Sequence, residues 1–172
     1  IDRKPDEVII WSFVVVLKEN SVLTYRHGRY REERDTFLKR RSIGFFTPVI
    51  EDDLTLFDQS DHGIVSAGIR AVSVDLDLPR EDVWQRIAEQ STIDCFLLSS
   101  RNGTHDLLAL ILFQCPDWFE PLTRRLAIND LHWHDLSMPI NHIEDFDPWS
   151  RLVFDCARLS VERASVRHEA AR

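Results

Sequence analysis

The hydrophobic pattern of the chain predicts two pairs of β-strands. Residues 7–18 are dense in β-branched and apolar side chains, which is typical of a buried strand. Residues 21–26 return as a second strand after a two-residue turn. Later, residues 92–100 and 105–115 form two more apolar runs. These runs flank an Asn-Gly dipeptide, which favours a tight turn, and they therefore predict a second hairpin.

Between the two hairpins, residues 64–78 carry apolar side chains at a spacing that is roughly helical. Their many β-branched residues also suit a strand, so the helix is the preferred reading and the strand its alternative. Asp61 is the predicted N-cap of this helix, and Pro79 ends it. A strand-like run, residues 41–50, and an acidic loop, residues 51–63, lead into the helix.

Two further helices are predicted from segments with proline in the first turn. Residues 79–90 place apolar side chains on one side of a short helix. The final helix begins at Asp147 and Pro148 and continues to Val161, with an apolar stripe that should dock on a sheet. Residues 162–172 are polar and are expected to fray or to lead to a neighbouring domain.

The helix at residues 64–78 contains the pattern R-x-V-x-x-D-x-x-L, which begins at Arg70. Together with the preceding strand and acidic loop, it resembles the box of the Nudix family, G-x5-E-x7-R-E-U-x-E-E-x-G-U. On that alignment Ala71, Val74 and Asp75 stand at the three glutamate positions of the helix, and His62 stands at the upstream glutamate. The resemblance is to a box that has lost most of its acidic residues.

A second match lies about fifty residues beyond the box. Leu131, Trp133 and Leu136 form L-x-W-x-x-L, which resembles the late strand that Nudix proteins place before their last helix. The resemblance implies an α+β fold, the Nudix-like α/β/α sandwich, in which the box helix and the C-terminal helix pack on a mixed central sheet.

The family's chemistry depends on the residues that this box lacks. In a Nudix hydrolase, carboxylates at i, i+3 and i+4 share one helix face and hold Mg2+ or Mn2+, which polarises a pyrophosphate. Ala71 and Val74 cannot ligate a hard cation. The resemblance therefore implies a catalytically impaired domain, without a confident cofactor, that serves as a nucleotide or nucleoside-diphosphate sensor or as a protein-interaction module.

Two alternatives remain open. The first is an active Mg2+- or Mn2+-dependent hydrolase with a rearranged site, in which Asp75 ligates the metal with Glu51 and Asp61, and His62 contributes a nitrogen. The second is an unrelated α+β domain whose likeness to the box arose by chance.

A basic segment, residues 26–41, supplies candidates for ligand binding, because arginine forks suit phosphate groups. The alternative is a solvated loop whose charged side chains pair locally and bind no ligand. Phe46 is a candidate stacking partner, although an aromatic residue of this kind is more often core. The predicted ligand-binding residues are Arg26, Arg29, Arg41, Arg70 and Phe46.

Three histidines raise the question of a zinc site. His132 and His134 share one face if the L-x-W-x-x-L segment forms a strand, and His142 follows shortly after. No cysteine or further histidine lies nearby at ligand-like spacing. The preferred interpretation is therefore that the two histidines flank Trp133 on a half-exposed strand.

Composition narrows the setting. A chain of 172 residues suits one domain, and a net charge of −8 makes nucleic acid an unlikely partner. No apolar run is long enough to cross a membrane, and three scattered cysteines favour reduced core residues of a cytoplasmic protein. The chain begins with Ile1, which suggests a domain cut from a longer protein. Other domains of that protein, or a second copy, are then possible partners.

Overall fold

The structure is a computed structural model that describes residues 8–28, 36–53, 62–77, 91–101, 103–116 and 119–156. Its strands are β1 (Val8–Lys18), β2 (Ser21–His27), β3 (Arg41–Ser42), β4 (Gly44–Pro48), β5 (Ile93–Arg101), β6 (Thr104–Gln114) and β7 (Ile128–Asp135). Its helices are α1 (Ile64–Asp75) and α2 (Pro148–Asp155), with short 3₁₀ turns at Glu51–Asp53 and Ile143–Asp145. The predicted helix over residues 79–90, the end of the final helix and the tail over 162–172 fall outside the described residues.

The described chain forms two compact units. The first comprises Ile1–Val15, Phe45–Phe113 and Leu122–Arg124, and the second comprises Val16–Gly44, Gln114–Pro121 and Arg125–Arg172. Strand β1 runs from the first unit into the second.

In the first unit, β6 lies between β1 and β5, and β4 also pairs with β1. Strands β5 and β6 form the predicted antiparallel hairpin, with Phe96 opposite Ala109. The turn contains Gly103 at a φ of 76°, a conformation that glycine adopts without steric cost. The second predicted hairpin is therefore confirmed, with boundaries that differ by one residue.

Helix α1 packs its apolar face closely on the strands of the first unit. A Cβ atom at Gly68 would overlap the Ser12 hydroxyl and lie 2.6 Å from Cγ2 of Val14. Only glycine therefore allows this approach, because any side chain would push the helix away from β1. The predicted helix over residues 64–78 is confirmed, although the helix ends at Asp75.

The predicted N-cap of α1 is wrong. The residue before the helix is Gly63, in the left-handed conformation at a φ of 74°, and it makes no side-chain capping hydrogen bond. Asp61 lies outside the described residues. The helix begins instead at a glycine whose backbone closely approaches the carbonyl group of Asp53.

The core of the first unit contains a buried polar contact among aromatic rings. Nε1 of Trp11 donates to Oδ1 of Asp106 at 2.8 Å, and both residues are buried. Phe46 stacks on Phe13 with ring centroids 6.1 Å apart and meets Trp11 edge-on. The hydrogen bond satisfies a carboxylate that burial would otherwise penalise.

In the second unit, β7 pairs antiparallel with β2 along its whole length. Val22 lies opposite His134 and Thr24 opposite His132, and a register shift follows between Thr24 and Arg26. The predicted late strand is confirmed, except that Leu136 lies in the turn after it. Strand β3 pairs with the other edge of β2, so that Arg26 and Arg41 stand opposite each other.

Helix α2 begins as predicted, with proline in its first turn. Its N-cap is Asp147, whose Oδ1 accepts from the backbone amides of Trp149 at 2.8 Å and Ser150 at 2.9 Å. Oδ2 of Asp147 also accepts from the Ser150 hydroxyl at 2.6 Å. The Ser150 hydroxyl in turn accepts from the amide of Ile43 at 3.0 Å. The cap therefore ties the helix to the strand segment of the second unit.

Two further predictions concern the cysteines and the membrane. None of the three cysteines forms a disulfide, but only Cys115 is buried, while Cys95 is half-buried and Cys156 is exposed at the end of α2. The prediction of three core cysteines is therefore wrong for Cys156. Among the helices that the structure describes, none combines the length and the apolar character that crossing a membrane requires.

Candidate functional site

The first candidate site is the box face of α1, which we define as Ala71, Val74 and Asp75. These residues are half-buried, exposed and half-buried respectively. Val74 is 45% exposed, so an apolar side chain occupies the position on this face where a glutamate would be most accessible. The box face thus offers a methyl group, an isopropyl group and one carboxylate. A site for Mg2+ or Mn2+ built on three helix carboxylates does not fit these residues.

Arg70 precedes the box face and is held by a carboxylate that the sequence did not single out. Its Nη2 contacts Oδ1 of Asp53 in the 3₁₀ turn. Asp53 is 4% exposed, and its Oδ2 also accepts from the amide of Ile50 at 2.9 Å. The acidic loop is thus anchored to α1 through Arg70. The only signal in the sequence is the acidic character of residues 51–53, which does not distinguish one carboxylate from the next.

Of the other residues predicted for catalysis or metal binding, Asp61 lies outside the described residues, whereas Glu51 and His62 are described. Glu51 is exposed in the 3₁₀ turn, and His62 is exposed at a φ of 54° beside Gly63. Phe46, a predicted ligand-binding residue, is buried in aromatic contacts. Within the part of the chain that is described, no three His, Cys, Asp or Glu side chains form a group suited to a metal ion.

The second candidate site lies in the second unit, and we call it the arginine cluster: Arg26, Arg41, Asp130, His132 and Asp145. Arg26 and Asp145 form two parallel hydrogen bonds, with Nη1 2.9 Å from Oδ1 and Nη2 2.5 Å from Oδ2. Nε of Arg26 also lies 3.6 Å from Oδ2 of Asp130. Such a fork-to-fork pair fixes both direction and distance.

Arg41 contributes the second guanidinium of the arginine cluster. Its Nη2 contacts the same Oδ2 atom of Asp130, and its Nη1 donates to the Thr24 hydroxyl at 3.1 Å. Nη1 also lies 3.1 Å from Nδ1 of His132. Asp130 therefore bridges the two arginines, so the charges alternate along the cluster.

Local backbone geometry explains this arrangement. Arg26 and Arg41 are directly opposed on neighbouring strands, where two like charges repel each other unless carboxylates intervene. Asp130 reaches both from a φ of 50°, beside the register shift of β2 and β7. Asp145 comes from the 3₁₀ turn that precedes α2. Sequence distance hides these partners, since the two aspartates are more than a hundred residues away from Arg26.

The contacts in the arginine cluster keep its groups charged. The hydrogen bond from Arg26 lowers the pKa of Asp145, and the hydrogen bond from Arg41 lowers the pKa of Asp130. The hydrogen bond to Asp145 raises the pKa of Arg26. Of the predicted phosphate-binding arginines, Arg26 and Arg41 are thus brought together, Arg70 lies in the first unit, and Arg29 lies outside the described residues.

The histidines follow the strand interpretation. His132 and His134 share one face of β7, while His142 lies in the following turn with its Nδ1 3.0 Å from Oε1 of Glu144. Burial lowers the pKa of His134 from 6.5, and the positive potential of His132 lowers it further. Its Nε2 is buried and has no hydrogen-bond partner among the described atoms.

We expect His134 to make the stability of the protein depend on pH. Its folded pKa lies below the unfolded value of 6.5, so the unfolded state takes up the proton first. The contribution of neutral His134 is therefore full above about pH 6.5 and is lost as the pH falls through the folded pKa. Urea unfolding between pH 5 and 8 should show that His134→Gln flattens this dependence. His62→Gln, at an exposed position, should leave it unchanged; an equal effect of both would contradict the assignment.

Comparison with solved structures identifies the class of fold. A Nudix hydrolase from Alicyclobacillus acidocaldarius superposes with a TM-score of 0.65, at 10% identity, over 92% of this chain and 95% of that one. The Nudix domain of NrtR from Shewanella oneidensis, solved with ADP ribose, gives a TM-score of 0.56 at 11% identity over 89% and 88%. No protein-family model and no curated protein sequence matches the chain.

A third similar structure contains a metal ion. It is a bifunctional NMN adenylyltransferase/ADP ribose pyrophosphatase from Francisella tularensis, complexed with AMP and a Mn ion. This chain spans 41% of that protein and superposes with a TM-score of 0.54 at 12% identity over 87% of its own length. The chain therefore has the Nudix-like fold, a mixed multi-strand sheet with two helices among the described residues. Identities this low establish the fold and leave the activity to the residues of the site.

Proposed function

We propose that this chain is a catalytically impaired Nudix-like domain that binds a nucleotide or nucleoside-diphosphate ligand and acts as its sensor. The observation that carries the proposal is the box face of α1, where Ala71 and Val74 replace two of three carboxylates on a Nudix-like helix. The fold is kept while the chemistry that hydrolysis needs is absent from its usual place.

The single carboxylate on the box face accounts for the loss of hydrolysis that we propose. A divalent cation bound to Asp75 alone would depend on water and ligand phosphates for its remaining coordination. Such a cation would be poorly positioned, and misplacement of about 1 Å can cost on the order of a hundredfold in rate. Recognition of a ligand does not require this precision, so binding can persist where catalysis does not.

The ligand class is inferred from cationic groups and from proteins of similar fold. Arg26 and Arg41 hold two guanidinium forks side by side, and such forks match phosphate as well as carboxylate. The NrtR domain was solved with ADP ribose, and the Francisella enzyme was solved with AMP. ADP-ribose and AMP are therefore the first probes to use.

Thermal unfolding with these probes, each in Mg2+, in Mn2+ and in EDTA, tests the proposal. A ligand at one hundred times its Kd stabilises the native state by about 2.7 kcal/mol. That corresponds to a rise of roughly 5–10 °C in Tm for a domain of this size. We expect ADP-ribose to give a rise of this kind that is the same in EDTA as in Mg2+, with no release of AMP on long incubation.

A metal-responsive variant provides the positive control. The double substitution A71E/V74E places three carboxylates at i, i+3 and i+4 on α1, and Mn2+ should raise its Tm where it leaves the wild type unchanged. A wild-type shift that requires metal, with AMP release that is lost in Asp75→Asn, would instead establish a hydrolase with a rearranged site. Absence of any shift would reject ligand sensing and leave a protein-interaction module.

A further inference from the structure

We propose that Asp145 is an internal competitor for the ligand: a phosphate group of a nucleoside diphosphate replaces its carboxylate at Arg26 and releases the 3₁₀ turn Ile143–Asp145. This inference rests on the proposed ligand-binding function. It adds a mechanism by which binding is converted into a structural change in the second unit.

The first support is the geometry of the pair. Arg26 donates two parallel hydrogen bonds to Asp145, which is the arrangement that a phosphate also accepts. Each of the two side chains is 35% exposed, so an anion in solution can reach the pair. The diphosphate group of ADP-ribose carries two negative charges against one on Asp145, and it can therefore compete with the carboxylate for Arg26.

The second support is the neighbouring guanidinium. Arg41 lies opposite Arg26 on β3, and Asp130 bridges the two. When Asp145 leaves, Arg26 keeps its hydrogen bond to the carbonyl of Lys39 at 3.1 Å, and Asp130 is then its remaining carboxylate, 3.6 Å from its Nε. The two arginines then carry more positive charge than the single carboxylate of Asp130 can neutralise. Two adjacent phosphate groups could neutralise the remainder. This favours a diphosphate over a monophosphate.

The third support is the position of the turn that carries Asp145. The amide of Asp145 donates to the carbonyl of His142 at 2.9 Å, and Nη1 of Arg40 donates to the carbonyl of Glu144 at 2.6 Å. Two residues later, Asp147 caps α2, and its amide donates to the carbonyl of Arg41 at 2.8 Å. Release of Asp145 therefore loosens the segment that fixes the start of α2.

An internal competitor reduces the apparent affinity by the fraction of molecules in which it has left the site. Removing it should therefore tighten binding rather than weaken it. This sign distinguishes competition from an ordinary contact, whose loss either weakens binding or has no effect.

Calorimetric titration with ADP-ribose in EDTA tests the inference. We expect Asp145→Asn to bind about tenfold more tightly than the wild type, because the competing charge is gone. The matched control is Glu144→Gln, which removes the same charge one residue away, at a side chain that contacts His142 rather than Arg26. Its affinity should stay within about twofold of the wild type, since an exposed charge outside the site adds little.

Hydrogen exchange on the wild type supplies a second measurement. The amides of Asp145 and Phe146 are hydrogen-bonded within the turn and should lose protection when ADP-ribose binds. If Asp145→Asn does not fold, as judged by its Tm, Asp145→Ser replaces it, because serine also lacks the carboxylate that pairs with Arg26. The same gain in affinity is expected.

The outcomes separate this inference from the proposed function. Equal or weaker binding by Asp145→Asn, with clear binding by the wild type, overturns the competitor and leaves ligand sensing intact. An equal gain in Glu144→Gln overturns it as well, since net charge would then be the cause. Lack of binding by the wild type and by every variant overturns both proposals.

Discussion

Replacement of Gly63 by alanine is expected to lower the free energy of unfolding by about 3 kcal/mol or more. Gly63 has a φ of 74°, which is unfavourable for any residue with a Cβ atom. The added Cβ would also overlap the carbonyl oxygen of Asp53 and lie 2.6 Å from its carbonyl carbon. Asp53 cannot easily move away, because Arg70 and the amide of Ile50 hold its carboxylate. Urea unfolding measures the loss.

Gly103 provides a matched control for this prediction. Its φ of 76° is nearly the same, but a Cβ atom there would meet nothing within 4 Å. Gly103→Ala should therefore cost only the left-handed conformation, about 1–2 kcal/mol. The difference between the two variants isolates the contact of Gly63 with Asp53. Equal losses would mean that the acidic loop moves aside and that it is not anchored to α1 as the structure indicates.

Asp147→Ala is expected to lower the free energy of unfolding by about 2–4 kcal/mol. Asp147 is fully buried and accepts hydrogen bonds from two backbone amides and from the Ser150 hydroxyl. Its loss removes the N-cap of α2 and leaves buried donors without an acceptor. Nε2 of His27 lies 3.9 Å from Oδ2 of Asp147, so this buried ring also loses an adjacent carboxylate.

Asp155, near the other end of the same helix, provides the comparison. It is exposed, and Asp155→Ala should change the free energy of unfolding by less than about 0.5 kcal/mol. Chemical unfolding of both variants under the same conditions measures the two losses. If both substitutions lowered the free energy of unfolding equally, the hydrogen bonds of the Asp147 cap would contribute nothing to stability, and the prediction would be wrong.

The two candidate sites differ in the side chains that they present. On α1, an apolar Val74 stands exposed where the Nudix-like pattern has a carboxylate, and this makes metal chemistry at the box face unfavourable. In the second unit, arginines remain paired with carboxylates that come from β7 and from a 3₁₀ turn. On the function proposed above, the Nudix-like fold supports recognition at the arginine cluster instead of hydrolysis at the box face.

Local patterns in the sequence were sufficient for most elements. The apolar density of β1 and the Asn-Gly turn before β6 depend on neighbouring residues only, and both predictions are confirmed. The start of α2 is also predicted correctly, because Asp followed by Pro is a local signal. The cap of α1 is predicted wrongly, since Gly63 is chosen by its close approach to Asp53, which no local pattern reveals.

The sequence by itself determined most of the described strands, the helical state of residues 64–75 and the start of α2. It also carries the resemblance of residues 70–78 to a Nudix box in which Ala71 and Val74 stand at two glutamate positions. These are properties of residue type and spacing. Only the tertiary structure decided that Arg70 pairs with Asp53, that Phe46 is core, and that Arg26 and Arg41 share Asp130. The reason is physical: an ion pair depends on distance in space, and a sheet brings together residues that the chain separates by a hundred positions.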